Sequence, residues 1–248
     1  MLLLKLLLVP ILIALITLAG RRWGPALAGW LAGFPVVTGP VLLMIGLEQG
    51  PAFAGRAAQA SLTAILANIG FSIGYSWAAL RCPWYACVAA GGLAFAVVGT
   101  LLVLVPLSLW GGLALTLAGL LVAPRIFPRK PDVLPAAKPS RLELPVRMLA
   151  GGLLSVAVTM FARRMGPAVS GLFSVFPVVS LLFAVFSHLT WGAGGSIRLL
   201  SGMVPGFYAF AAFCCTAALV LPQAGLAVGF AMALGCALLV QGVSFALR

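Results

Sequence analysis

Two arginine pairs stand before a Gly-Pro step: Arg21-Arg22-Trp23-Gly24-Pro25 and Arg163-Arg164-Met165-Gly166-Pro167. Proline suits the first position of a helix, where its missing N–H would have no partner anyway. The free N–H groups and the helix dipole make that end attractive to anions. Two guanidinium forks beside it match phosphate or carboxylate. The plainer reading is that Arg21, Arg22, Arg163 and Arg164 extend to lipid headgroups and anchor the helices. About ten residues further in lie Phe34-Pro35-Val36-Val37-Thr38 and Phe176-Pro177-Val178-Val179-Ser180. That is roughly 15 Å along a helix, near the middle of a bilayer. Pro35 and Pro177 cannot donate to the residue four back, so the carbonyls of Leu31 and Phe173 are expected to be freed. In lipid such groups must be paired or face a wet cavity. Thr38 and Ser180 then offer hydroxyls to a bound solute, while a structural kink is the simpler alternative.

Asn68 is the only asparagine, and Ser61, Asn68, Ser72 and Tyr75, with Ser76 beside them, share one helical face. A mid-membrane amide is expected to face the protein interior, as interhelical glue or as a cavity lining. Glu48 and the single histidine, His188, are the remaining ionisable candidates within apolar stretches. Both are expected near helix ends, at opposite faces, too far apart for acid–base chemistry. Arg56 and Arg198 open equivalent segments and read as headgroup anchors, with a place beside the other arginines around an anionic group as the alternative. With no G-x-S-x-G, H-E-x-x-H, P-loop or Cys-x-x-Cys, the chain reads as a non-enzyme with no metal and no cofactor.

The elements that must position these residues come in duplicate. Residues 21–38 recur as 163–180, an offset of 142, and the register runs without a gap to Arg56 and Arg198. The chain is 63% hydrophobic and only 7% charged, against about 25% charged in a soluble domain. No water-facing surface of ordinary polarity can be built from it. The basic residues lie between apolar stretches and form no stripe, which excludes nucleic acid as a partner and points to membrane lipids. Apolar spans are expected at about 3–20, 26–47, 54–80, 84–105, 108–124, 147–162, 168–189, 197–221 and 224–246, most near the roughly 20 residues a bilayer requires. The amino-terminal stretch looks like a signal peptide, but it aligns with residues 149–162 and is kept as a helix. The stretch 83–124 is too long for one crossing and divides at Pro106 and Ser108.

The expected fold is therefore all-α integral membrane: nine transmembrane helices as two inverted four-helix repeats joined by a linking helix. The units are 1–106, 107–146 (the linking helix and a cytoplasmic loop) and 147–248. An offset of five helices between equivalents reverses their direction, which is the logic of many secondary transporters. One side would carry Arg21, Arg22, Arg81, Arg125, Arg129, Lys130, Lys138, Arg141, Arg147, Arg198 and Arg248, and the other Lys5, Arg56, Arg163 and Arg164, out of 15 basic residues. The positive-inside rule then puts the amino terminus outside and the carboxyl terminus in the cytoplasm.

Phe176-Pro177, the short connection to Arg198 and the stretch from Pro205 to Tyr208 carry one further reading. Each half resembles the small four-helix bacterial GlpM-type membrane proteins, as a tandem-duplicated form with an added helix. The resemblance implies a bacterial inner membrane and a helper role in envelope polysaccharide metabolism. The expected function is transport of a small anionic or lipid-linked solute by alternating access. The alternative is a non-transporting scaffold for polysaccharide synthesis. The expected solute-binding residues are Arg21, Arg22, Pro35, Thr38, Asn68, Arg163, Arg164, Pro177 and Ser180.

Overall fold

In a medium without water every backbone N–H and C=O must be paired within its own segment, so an apolar chain of this kind has little choice but helix. The computed structural model describes residues 2–35, 38–105, 107–129, 143–164 and 177–246. The order is α1 (Leu2–Trp23), α2 (Pro25–Ala32), α3 (Thr38–Gln49), α4 (Pro51–Ala78), α5 (Trp84–Leu104), α6 (Leu109–Ile126), α7 (Glu143–Arg164) and α8 (Val178–Ala246). No strand occurs among the described residues. Four of these helices, α4, α5, α6 and α8, are long and apolar enough to cross a membrane. Leu93, Leu104 and Leu239 point outward, each about 70% exposed, while alanine, glycine and serine fill much of the interior. Large apolar groups outside and small ones inside are what helix packing in lipid demands.

Helix α8 is not one rod. Gly192 (φ 68°, ψ −168°) and Gly225 (φ 78°, ψ −179°) divide it into legs 178–191, 193–224 and 226–246. Gly24 (φ 88°, ψ 169°) and Gly50 (φ 87°, ψ 163°) make the same step between α1 and α2 and between α3 and α4. This backbone region is essentially reserved to glycine. The chain folds back at these points. A Cβ on Gly46 would lie 3.4 Å from that of Ala54, and one on Gly195 would lie 3.3 Å from Ser187 Oγ. A straight helix would hold such pairs about 12 Å apart. Gly50 and Gly192 are equivalent at the offset of 142, so the repeat extends to backbone conformation.

The proline break between α2 and α3 lies where the sequence places it, with one correction. The Leu31 carbonyl is not free: it accepts the Phe34 N–H at 3.2 Å. The last turn tightens to an i→i+3 bond, so a donor upstream of the proline replaces the one that Pro35 lacks. Phe173, the equivalent expectation, lies outside the described residues. Each proline also starts the next helix. The Pro35 carbonyl accepts the Gly39 N–H at 2.9 Å, and the Pro177 carbonyl accepts that of Leu181 at 2.8 Å. The stretch 83–124 divides as expected: α5 ends at Leu104, and Ser108 caps α6 by accepting the Gly111 N–H at 3.1 Å.

Helix α4 is the hub. Helix α5 runs antiparallel to it, with a Cβ on Gly70 falling 3.0 Å from Val98 and one on Gly74 2.9 Å from Ala94. Helix α6 runs parallel, joined by Thr116 Oγ1 donating to the Leu62 carbonyl at 3.2 Å and Trp77 Nε1 donating to that of Ile126 at 2.9 Å. Helix α2 lies on leg 193–224 through two small-residue pairs, Gly29 with Gly33 and Gly202 with Gly206. A Cβ on Gly33 would stand 2.5 Å from the Met203 carbonyl oxygen and 2.9 Å from Gly206 Cα. The backbones thus touch directly, and the two segments run parallel. Leg 226–246 closes over α2: Trp30 Nε1 donates to Ser244 Oγ at 2.8 Å, and Gln241 Nε2 donates to the Trp30 carbonyl at 3.3 Å. The Phe245 ring lies 5.5 Å from that of Trp30.

Candidate functional site

Helical periodicity puts Asn68, Ser72, Tyr75 and Ser76 on one face of α4. The same arithmetic puts Ser180, Ser187 and His188 on one face of leg 178–191. The two faces meet. Ser180 Oγ donates to Asn68 Oδ1 at 3.3 Å. Further along, Tyr75 Oη and His188 Nδ1 are 3.2 Å apart, with the rings edge-on at 6.0 Å. Residue numbers rise together, so the two helices run parallel. The result is a polar seam between the halves, from Asn68–Ser180 to Tyr75–His188.

Some seam groups are satisfied locally. Asn68 Nδ2 donates to the Ala64 carbonyl at 3.3 Å, and Ser72 Oγ donates to the Asn68 carbonyl at 2.8 Å. Back-bonding of this kind is the usual resource of a polar side chain inside a helix. Ser76 and Ser187 do not use it. Both are buried, and neither Oγ has a hydrogen-bond partner among the described residues. A buried polar group left unsatisfied costs about 1–3 kcal/mol; Ser76 is on the seam face of α4, while Ser187 Oγ lies against Gly195 of the next leg.

The opposite side of leg 178–191 carries a correction. In the sequence Arg147 reads as a loop cation that sets topology. In the structure it is 3% exposed. Its Nη2 donates to Thr190 Oγ1 at 3.0 Å, and its guanidinium lies 4.9 Å from the centre of the Phe186 ring. The cause is the length of α7, which begins at Glu143 rather than 147 and carries Arg147 into the bundle. Phe186 and Thr190, one turn apart, form the face that receives it.

The remaining expected site residues are dispersed. Arg21 and Arg22 are exposed at the carboxyl end of α1, and the Arg22 guanidinium sits 5.5 Å from the ring centre of exposed Trp23. Pro35 is buried in the break, and half-buried Thr38 opens α3. Helix α2, eight residues long, carries the chain roughly 12 Å from the arginine pair toward the proline break. Arg163 and Arg164 close α7, and their side chains lie outside the described residues. Pro177 is buried and opens the first turn of α8. Glu48 is exposed in the last turn of α3, and Arg56 is exposed with its guanidinium 5.5 Å from the Phe53 ring centre. Arg198, its repeat equivalent, is only partly exposed, and its Nε has no partner among the described residues.

Of the expected residues, the structure brings together Asn68 and Ser180. The sequence reading did not assign His188, Ser76, Ser187 or Arg147 to a site. The Tyr75–His188 contact joins positions 113 residues apart, and no local pattern announces it. A carboxamide, the hydroxyls of Ser72, Tyr75, Ser76 and Ser180, and an imidazole can donate and accept hydrogen bonds to a polar solute. They include no grouping fit for a metal among the described residues. Compared with protein-family models, with curated proteins and with solved structures, the chain matches none.

Proposed function

We propose that the chain is a multi-pass inner-membrane transporter of a small polar solute, anionic or lipid-linked, that works by alternating access between two inverted repeats. The observation that carries this reading is the polar seam formed by both halves, Asn68 with Ser180 and Tyr75 with His188, beside which buried Ser76 on the same face of α4 has no partner among the described residues. A seam meant only as glue would be better served by satisfied or apolar groups. The sense of the helices supports the inversion. Helix α2 runs parallel to leg 193–224, and α4 runs parallel to leg 178–191. Each half folds back at its own glycine, Gly50 or Gly192. Equivalent helices then point in opposite directions, as in-plane two-fold repeats require.

The solute contacts proposed are Asn68 and Ser180 in the seam, beside the breaks at Pro35 and Pro177, with Thr38 as the equivalent of Ser180. The arginine pairs would select an anion at the mouths. For Arg22, the stack on exposed Trp23 fits the anchoring role equally well. The basic-residue count argues for an amino terminus outside and a carboxyl terminus in the cytoplasm. A carboxyl-terminal reporter active only in the periplasm would reverse that orientation.

The test is a thermal-shift screen of the detergent-purified protein against anionic metabolites and phospholipids. A ligand present at 100 times its Kd stabilises the folded state by about 2.7 kcal/mol. A stabilising ligand whose effect is lost in Asn68→Leu and in Ser180→Ala is the expected result. No stabilising ligand, together with a seam closed to aqueous reagents, would leave the scaffold for polysaccharide synthesis that the GlpM-type resemblance implies.

A further inference from the structure

We propose that His188, held by Tyr75, is the proton-binding residue that couples this seam to a proton gradient; the inference rests on the transport reading above. The chain has one histidine, and it lies at the end of the seam, 3.2 Å from the hydroxyl of a tyrosine that is fully buried. Imidazole is the side chain whose protonation changes over physiological pH. The charged and titratable groups around it are few. Tyr75 faces it from α4, and Cys87 of α5 lies near Tyr75. Arg147 of α7 is on the far side of the same leg, turned to Phe186 and Thr190. Glu48, the other ionisable candidate of the apolar stretches, is exposed at the end of α3 and outside the seam.

The geometry gives protonation a structural effect. In the proposed neutral tautomer, protonated at Nε2, the Tyr75 hydroxyl donates to His188 Nδ1. When a proton from water binds the ring, both ring nitrogens become donors. The Tyr75 oxygen must then accept, and its own hydrogen must turn to another acceptor. Ser76 and Ser187, each next in sequence to one member of the pair, have buried oxygens with no partner among the described residues. An N–H bond forms on proton entry and breaks on release to the other side, and no other bond changes. Rearranged hydrogen bonds along α4 and leg 178–191 bias which side the seam opens to. The repeat equivalent of His188 is Gly46, so one proton site serves the whole molecule.

The test places one cysteine in the seam. Ser72→Cys is made in the full chain with its five native cysteines replaced by serine or alanine, and a water-soluble maleimide is applied at pH 5.5 and 7.5. Each rate is divided by that of the same variant unfolded at the same pH, which removes the thiol's own ionisation. The expected result is labelling whose normalised rate changes by about tenfold between the two pH values, the scale of a modest population shift. In His188→Gln the two normalised rates should be equal. Labelling that ignores pH, or a pH effect that survives His188→Gln, overturns the proton site and leaves transport standing. No labelling of the folded protein at either pH overturns transport itself, and the proton site with it. Should His188→Gln fail to fold, ¹⁵N spectra of the single imidazole in the parent protein decide the matter. Its resonances must titrate across the pH of the labelling change, and resonances that do not move overturn the proposal.

Discussion

Gly33→Ala isolates the close approach of α2 to leg 193–224. Gly33 has helical angles (φ −73°, ψ −16°), so alanine meets no conformational penalty there and brings a small gain in helix propensity. The cost is wholly steric. The added methyl would stand 2.5 Å from the Met203 carbonyl oxygen and 2.9 Å from Gly206 Cα. Ordinary contact with either is about 3.4 Å or more, so the helices must part by roughly 0.5–1 Å. Neither obstacle is a side chain, so no rotamer change can relieve it. Overpacking of this kind costs about 1–3 kcal/mol. In a chain of this length each kcal/mol lowers Tm by roughly 2–4 °C. A fall of about 4–8 °C is expected for the middle of that range, read by intrinsic fluorescence or thiol-dye unfolding in detergent. Gly92→Ala in α5 is the control, since a Cβ there meets nothing within 4 Å; its Tm should hold or rise. A Gly33→Ala protein as stable as Gly92→Ala would refute the claim that these backbones are in contact.

Gly50→Ala and Gly192→Ala should each cost about 1–3 kcal/mol, because both place a side chain in a glycine-only region; matched losses in thermal unfolding are expected if the two turns are one repeated device. Asn68→Ala and Ser180→Ala, combined in a double-mutant cycle of unfolding free energies, should show a coupling of about 0.6 kcal/mol and no more than about 1.7; no coupling would mean that the 3.3 Å contact contributes nothing. Arg147→Lys keeps the charge but loses the guanidinium held 4.9 Å from the Phe186 ring centre, so a loss of about 1 kcal/mol is expected, and a Tm equal to wild type would mean that this contact contributes nothing.

Most of what the sequence revealed came from its duplication. Two proline steps at one offset pointed to helix breaks at Pro35 and Pro177, and the carbonyl of each accepts the first bond of the helix that follows. Ser108 marked the start of α6 because a capping hydroxyl is a local signal. Asn68 and Ser180 were each legible as polar groups with nowhere to go in lipid. That they bond to each other was not. In a soluble helix the polar face marks the outside, which leaves the buried face identified. Here lipid-facing and helix-facing surfaces are both apolar, so periodicity cannot say which face meets which neighbour. The same ambiguity hid the Tyr75–His188 contact. Arg147 was misread for another reason. A cation near a loop boundary is assigned by its distance from the apolar run, and α7 begins a turn before that run does.

The clamp on α2 bears on the order in which this molecule can be assembled. The Trp30 indole finds its acceptor on Ser244, 214 residues later, and Gly29 and Gly33 find their docking surface on leg 193–224. Helix α2 is therefore synthesised long before its partners. Until they arrive, its glycine face is uncovered and its indole N–H has no Ser244 to reach. Completion is late and non-local, since the closing contacts join the earliest residues to some of the last. The repeated segments thus complete their packing only together. Residues 1–106 made alone would emerge with an open flank along α2, exposed to quality-control proteases, and co-expressed halves should survive where either half alone is degraded.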